Sequence, residues 1–199
     1  LSSDRNWGCG DFTDLRCMVE WAGKELGAGV IGLNPLHALR NTAPYHISPY
    51  APNSRLYLNE LYIDLERLPE FYGSKEAQQR LLAPEFQAKL RTMRESRQVD
   101  YDAIGTAKRT MLELAYSSFL TEAYKGEESD LQPITARARH FEQFIQSEGA
   151  PLELYATFQT LEEECRLTQS KPDTWHEWPQ QFLTPGQPVR EYAERHRKR

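Results

Sequence analysis

Residues 29–65 read GVIGLNPLHALRNTAPYHISPYAPNSRLYLNELYIDL, and the reading of this stretch decides the fold class. Residues 28–33 form a short apolar run directly after Gly27, the pattern of a buried parallel strand. Pro35, Pro44, Pro49 and Pro52 then forbid regular structure. Residues 56–65 are apolar enough for a second extended segment ending at Asp64 and Leu65. A strand that empties into a long irregular loop is how α/β enzymes place ligand-binding groups.

Upstream, Asp4 to Gly10 is a glycine-relaxed turn around Trp7 and Cys9. Asp11 is the predicted N-cap of a helix, with Asp14 in its first turn favouring the helix dipole. Leu15, Met18, Val19, Ala22 and Leu26 recur at helical spacing, and Gly27 ends the run. Helix, turn and strand in this order make half of a βαβ unit, so the expected fold class is α/β.

From Ser74 onward the periodicity is helical throughout. Leu81, Leu82, Phe86, Leu90 and Met93 mark helical turns interrupted at Pro84. Ile104, Met111, Leu112, Ala115 and Phe119 mark a further helix ending near Gly126. Ile134, Phe141, Phe144 and Ile145 mark the next, and Pro151 suits the first turn of another carrying Leu152, Tyr155, Phe158, Leu161 and Cys165. Trp175, Trp178 and Phe182 fit a short helix and loop, and a last helix starts near Pro188. The expected division is therefore 1–72 as the α/β segment and 73–199 as a helical subdomain inserted on it.

Composition narrows the function classes. The 199 residues carry a net charge of −5, which leaves no nucleic-acid footprint. The basic run at 195–199 reads as a solvated helix end. No apolar stretch is long enough to span a bilayer. Three cysteines (Cys9, Cys17, Cys165) without CxxC spacing suggest neither disulfides nor zinc, so a cytoplasmic location is expected. Signatures for dinucleotide, phosphate, serine-hydrolase or zinc-protease chemistry are missing, and no cofactor or metal is expected.

The loop itself gathers Asn34, His37, Tyr45, His46, Ser48, Tyr50, Asn53 and Asn59. Neutral hydrogen-bonding groups beside aromatic faces suit carbohydrate, because rings stack on pyranose C–H faces while amides and hydroxyls satisfy sugar hydroxyls. The competing reading is a rigid Tyr/Pro loop capping a sheet edge. His37 sits just past the strand end, where α/β sites form, whereas His140 and His176 read as structural. Glu127–Glu128 and Glu162 to Glu164 read as solvated helix faces. No carboxylate pair marks glycoside chemistry.

Four motifs, in order, resemble one family: Asn6-Trp7-Gly8-x-Gly10-Asp11-Phe12-x-Asp14-Leu15; Gly32-Leu33-Asn34-Pro35-Leu36-His37-Ala38-Leu39; Ser48-Pro49-Tyr50-x-Pro52-x-Ser54-Arg55; and Leu58-Asn59-x-x-Tyr62-Ile63-Asp64. They are similar to the N-terminal part of 4-α-glucanotransferases (amylomaltase, disproportionating enzyme) of glycoside hydrolase family 77, in the bacterial maltodextrin-type branch. The resemblance is sharp over residues 5–72 and general beyond. It implies a fragment of a (β/α)8 TIM barrel with a large, mostly helical insertion. It also implies transfer of α-1,4-glucan segments between maltodextrins by a retaining double displacement. The family's reacting carboxylates lie on later barrel strands, so this segment is expected to carry no catalytic residue and to need the catalytic domain beyond Arg199. By resemblance Ser48 and Tyr50 line the substrate cleft. Asn34, His37 and Asn59 complete the substrate-binding candidates, with Asn59 and Asp64 in supporting roles. Cys9 stands where an aliphatic residue is usual, a conservative change because a free thiol packs like a small hydrophobe. The alternative is a non-catalytic carbohydrate-binding or helical interaction module.

Overall fold

The helix predicted after Asp11 forms as α1 (Phe12–Glu25), capped by a reciprocal pair: Asp11 accepts from the amides of Thr13 and Asp14, and Asp14 accepts from the Asp11 amide. Gly27 takes φ 63° just past its end. This is a computed structural model, and it describes residues 3–41, 47–126, 131–168 and 175–196. Tyr45, His46, Glu127, Glu128 and the last three residues of the basic tail lie outside the described residues. Two compact units divide the chain, Leu1–Gln132 and Pro133–Arg199.

Residues 28–33 do not form the expected parallel strand. A strand exists only beside another, and among the described residues no strand lies parallel to this run. Most of the run stays in water, with Val30 87% and Leu33 47% exposed and Ile31 half-buried. On α1 the apolar stripe is likewise only partly covered, since Ala22 alone is buried. What does form is a small antiparallel pair, β1 (His37–Ala38) with β2 (Ser54–Leu58). The expected extended segment over 56–65 therefore ends at Leu58, and 3₁₀ turns at Glu60–Tyr62 and Leu65–Arg67 follow. The chain is thus mostly helical with small sheets, and the described residues show no barrel.

The first unit is built around one long helix. α2 (Pro69–Gly73), α3 (Lys75–Leu82) and α4 (Pro84–Glu95) precede α5 (Tyr101–Ala123), and Pro84 opens α4 where proline costs no hydrogen bond. Ile104, Ala107, Met111, Ala115 and Phe119 make the buried stripe of α5 at helical spacing. Phe71, Leu61, Leu65, Leu90 and Trp7 pack in the same core. The helices through Ala123 share this compact unit with residues 5–72. The short strands β3 (Tyr124–Lys125) and β4 (Gln132–Pro133) follow.

In the second unit α6 (Ala136–Thr168) is two helices joined at Gly149, whose φ of 55° and ψ of −136° are non-helical, with Pro151 in the first turn of the second half. α7 (Gln187–Arg195) carries Tyr192, which packs with Leu161, Cys165 and Trp178 and donates its hydroxyl to Glu164 at 2.6 Å. Among the described residues no helix is long and apolar enough to cross a membrane.

Candidate functional site

The turn before α1 is held by a cluster of charges. Arg5 reaches Asp11 at 2.5 Å, Asp14 at 2.9 Å and Asp64 at 2.8 Å. The three carboxylates are nearly buried, at 3%, 11% and 8% exposure. The Asp11 contact, ahead of the others, drives the guanidinium further toward its charged form. Burial works to raise the Asp14 carboxyl, but hydrogen bonds from Asn6, Arg5 and Ser3 outweigh it and hold it below the ordinary value of 3.8. Arg94 on α4 donates to the carbonyls of Asn6 (2.7 Å) and Arg5 (3.1 Å), and Trp7 donates to Glu66 at 2.9 Å. Gly8, at φ 99°, allows Met93 to approach; a Cβ there would meet Met93 Cβ and O at 2.9 Å. The Gly-Asp turn is thereby fixed against both α4 and the segment around residue 64.

Beside that turn lies a cavity of about 380 Å³, lined by Cys9, Asp11, Asn34, Asn41, Pro49 and Tyr62 among others. It joins the α1 cap, the run after residue 33 and the Ser48 loop. Asp11 is the one carboxylate among its described lining residues, and Arg5 and the helix cap already occupy it. A retaining glycosidic displacement needs two carboxyl groups roughly 5–5.5 Å apart. This wall can hold a ligand but does not carry that pair.

Ser48, Pro49, Tyr50 and Ala51 form a β-turn closed by Ala51 N–H to Ser48 O at 3.1 Å, with proline in its favoured second position. The turn presents Tyr50 outward, 69% exposed, and its hydroxyl donates to Asn34 Oδ1 at 2.9 Å. Ser48 is exposed on the same turn. The structure thus brings Tyr50 and Asn34 together and places Ser48 next to them. His37 is half-buried on β1, paired with Leu58, and is not among the cavity lining. Asn59 is fully buried at 0% exposure, so its side chain touches protein only. Its Oδ1 accepts from the Leu61 amide at 2.9 Å and from Asn41. Asp64 pairs with Arg5 and supports the turn.

Behind the cavity Lys108 is 2% exposed and donates to the Leu61 and Ile63 carbonyls at 2.6 and 2.8 Å. Burial pushes its pKa down, opposed by Cys9, Asp11 and Asp64. The same burial pushes the Cys9 thiol up, which leaves it a packing group rather than a nucleophile. Among the described residues no group of three acidic, His or Cys side chains could hold a metal ion.

Sequence reading missed Asn41 and Tyr101 as cavity walls. Asn41 had a usable signal, since asparagine at a loop start tolerates the left-handed backbone it adopts (φ 55°). Tyr101 had none, because it reaches the cavity from the start of α5, far along the chain.

Comparison with known proteins places these residues in a family context. A family model described as 4-alpha-glucanotransferase (glycoside hydrolase 77) matches residues 1–199. A 4-alpha-glucanotransferase of Haemophilus influenzae is 37% identical over 162 residues, which is 81% of this chain and 22% of that protein. One from Mycobacterium tuberculosis is 28% identical over 203 residues, 98% of this chain and 25% of that protein. The chain therefore spans about a quarter of the length of the curated relatives it matches.

Proposed function

The chain belongs to the 4-α-glucanotransferase family, glycoside hydrolase 77, and from that premise we propose that it supplies part of the substrate cleft of an enzyme moving α-1,4-glucan segments between maltodextrins. The observation that carries the reading is the cavity beside the α1 cap, bordered by the turn that holds Tyr50 against Asn34. Tyr50 offers a ring face to a glucose unit, and Asn34 and Ser48 offer hydrogen bonds to its hydroxyls. The reaction proceeds by a retaining double displacement, on carboxylates outside residues 1–199. The engagement of Asp11 by Arg5 and the cap supports that assignment.

In the same proposal residues 1–72 are part of a (β/α)8 barrel, and 73–199 are a helical insertion on it. The exposure of Val30 and Leu33 supports this, because an apolar run of barrel type has no cover without flanking strands. The free cysteines fit a reducing cytoplasm.

A fixed-time assay with maltotriose tests the division of labour. The full-length protein is expected to yield glucose and longer dextrins, and residues 1–199 alone to yield neither. Products from residues 1–199 alone would overturn the placement of the reacting carboxylates. Failure of the full-length protein to disproportionate maltotriose would return the choice to a binding module.

A further inference from the structure

We propose that Asn41 and Asn59 form a buried amide clasp that positions the Ser48–Tyr50 turn for glucan, which makes both of them positioning residues and not sugar contacts. Each amide donates to the other's carbonyl oxygen at 3.1 Å. Both side chains are out of water, at 6% and 0% residue exposure. The pair also engages backbone beside each of its residues. Asn41 Nδ2 also donates to Leu39 O at 3.2 Å, and Asn59 Oδ1 accepts from Leu61 N–H at 2.9 Å. A buried amide pair bonded in both directions favours one arrangement, because a shift strands a donor or acceptor away from water.

The hairpin needs such a tie. β1 contributes only two residues, and its partners on β2 are Leu58 for His37 and Ser54 for Ala38. One step along β1 is matched by four along β2 (58 − 54), so the ladder is irregular and leaves register weakly set. Asn53 N–H to Ala38 O (2.9 Å) and Asn59 N–H to Leu36 O (3.0 Å) are the accompanying backbone bonds. The clasp joins the chain that follows β1 to the chain that follows β2, and Asn41 also faces the cavity. Asn41 itself takes a left-handed φ of 55°, and it lines the same cavity as Ile47 and Pro49 beside the Ser48–Tyr50 turn. On the other side the clasp fixes the Glu60–Tyr62 turn, whose Tyr62 is a cavity wall. Two walls of the cavity are therefore registered to each other through one pair of amides.

The inference rests on the glucan reading of the turn, and a double-mutant cycle in the full-length protein separates the two. Asn41→Gly keeps the left-handed backbone but removes the clasp. Asn59→Ser breaks the clasp but keeps a hydroxyl for the Leu61 amide. Each is combined with Tyr50→Ala, with kcat and KM for maltotriose transfer and the Tm measured for all. Displacing a binding group by about an ångström can cost on the order of 10²-fold, and a partial shift here is expected to lower kcat/KM about 10-fold, mainly through KM. In the Tyr50→Ala background the same substitution is expected to cost less than about 2-fold, because the positioned group is gone. An equal defect in both backgrounds, no defect in either, or loss of the fold in both clasp variants would overturn the positioning role. A silent Tyr50→Ala would instead remove the glucan reading itself, and this inference with it.

Discussion

Arg5→Met is expected to lower the stability of the first unit by about 2–4 kcal/mol, read from urea unfolding of residues 1–199. The substitution keeps most of the side-chain volume but leaves Asp11, Asp14 and Asp64 without their shared cation. These carboxylates are 3%, 11% and 8% exposed, so water cannot replace the lost partner fully. Stranding a buried charge costs far more than an exposed ion pair contributes. The loss falls short of the roughly 3–5 kcal/mol of a fully buried pair because Arg5 itself is 37% exposed. A change under about 0.5 kcal/mol would show that the cluster is decorative.

The same cluster sets an acid limit. The folded-state pKa of Asp14 lies below its ordinary value of 3.8, with the hydrogen bonds from Asn6, Arg5 and Ser3 overcoming burial. Between those two values the unfolded chain binds the proton more strongly than the folded one. The stabilisation is therefore present above about pH 4 and is lost as pH falls through the folded value. Wild-type stability should fall with acid in that window, and in Arg5→Met the slope should flatten. An unchanged slope in the variant would mean that Arg5 does not hold Asp14 charged.

How far the sequence foretold this molecule depended on whether each signal was local. Asp11 and Asp14 sit three residues apart, and their capping box formed where a helix start was expected. The α5 stripe, the Pro84 break and the helix start around Pro151 were equally local, since each follows from helical period or a proline's missing N–H. Residues 28–33 went the other way. Their apolar pattern asked for a sheet interior, and a strand's stability resides in neighbours that its own sequence does not encode. Asn59 was legible as a supporting residue, but its pairing with Asn41 was not. A reciprocal amide pair leaves no period or motif in the chain, and here it joins residues on either side of a loop. The Arg5 cluster was hidden for the same reason, since Asp64 is brought to it only by packing.

The second large effect concerns Tyr50. Tyr50 is 69% exposed, so Tyr50→Ala removes little buried area and should leave Tm nearly unchanged. Its hydrogen bond to Asn34 is exposed and contributes little to folding. A conformation defined by a proline turn and a hydroxyl bond, yet of so little value to stability, fits a side chain held out for a ligand. If the ring stacks on a glucose unit of the donor chain, its loss removes contact made in both ground and transition states, together with orientation at the cleaved bond. The expected loss in kcat/KM is about 10- to 100-fold.

That variant also tests most directly whether the loop is a wall of a glucan cleft. Maltotriose transfer by the full-length Tyr50→Ala protein should fall at least about 10-fold in kcat/KM at an unaltered Tm. Wild-type kinetics in a correctly folded Tyr50→Ala protein would contradict it.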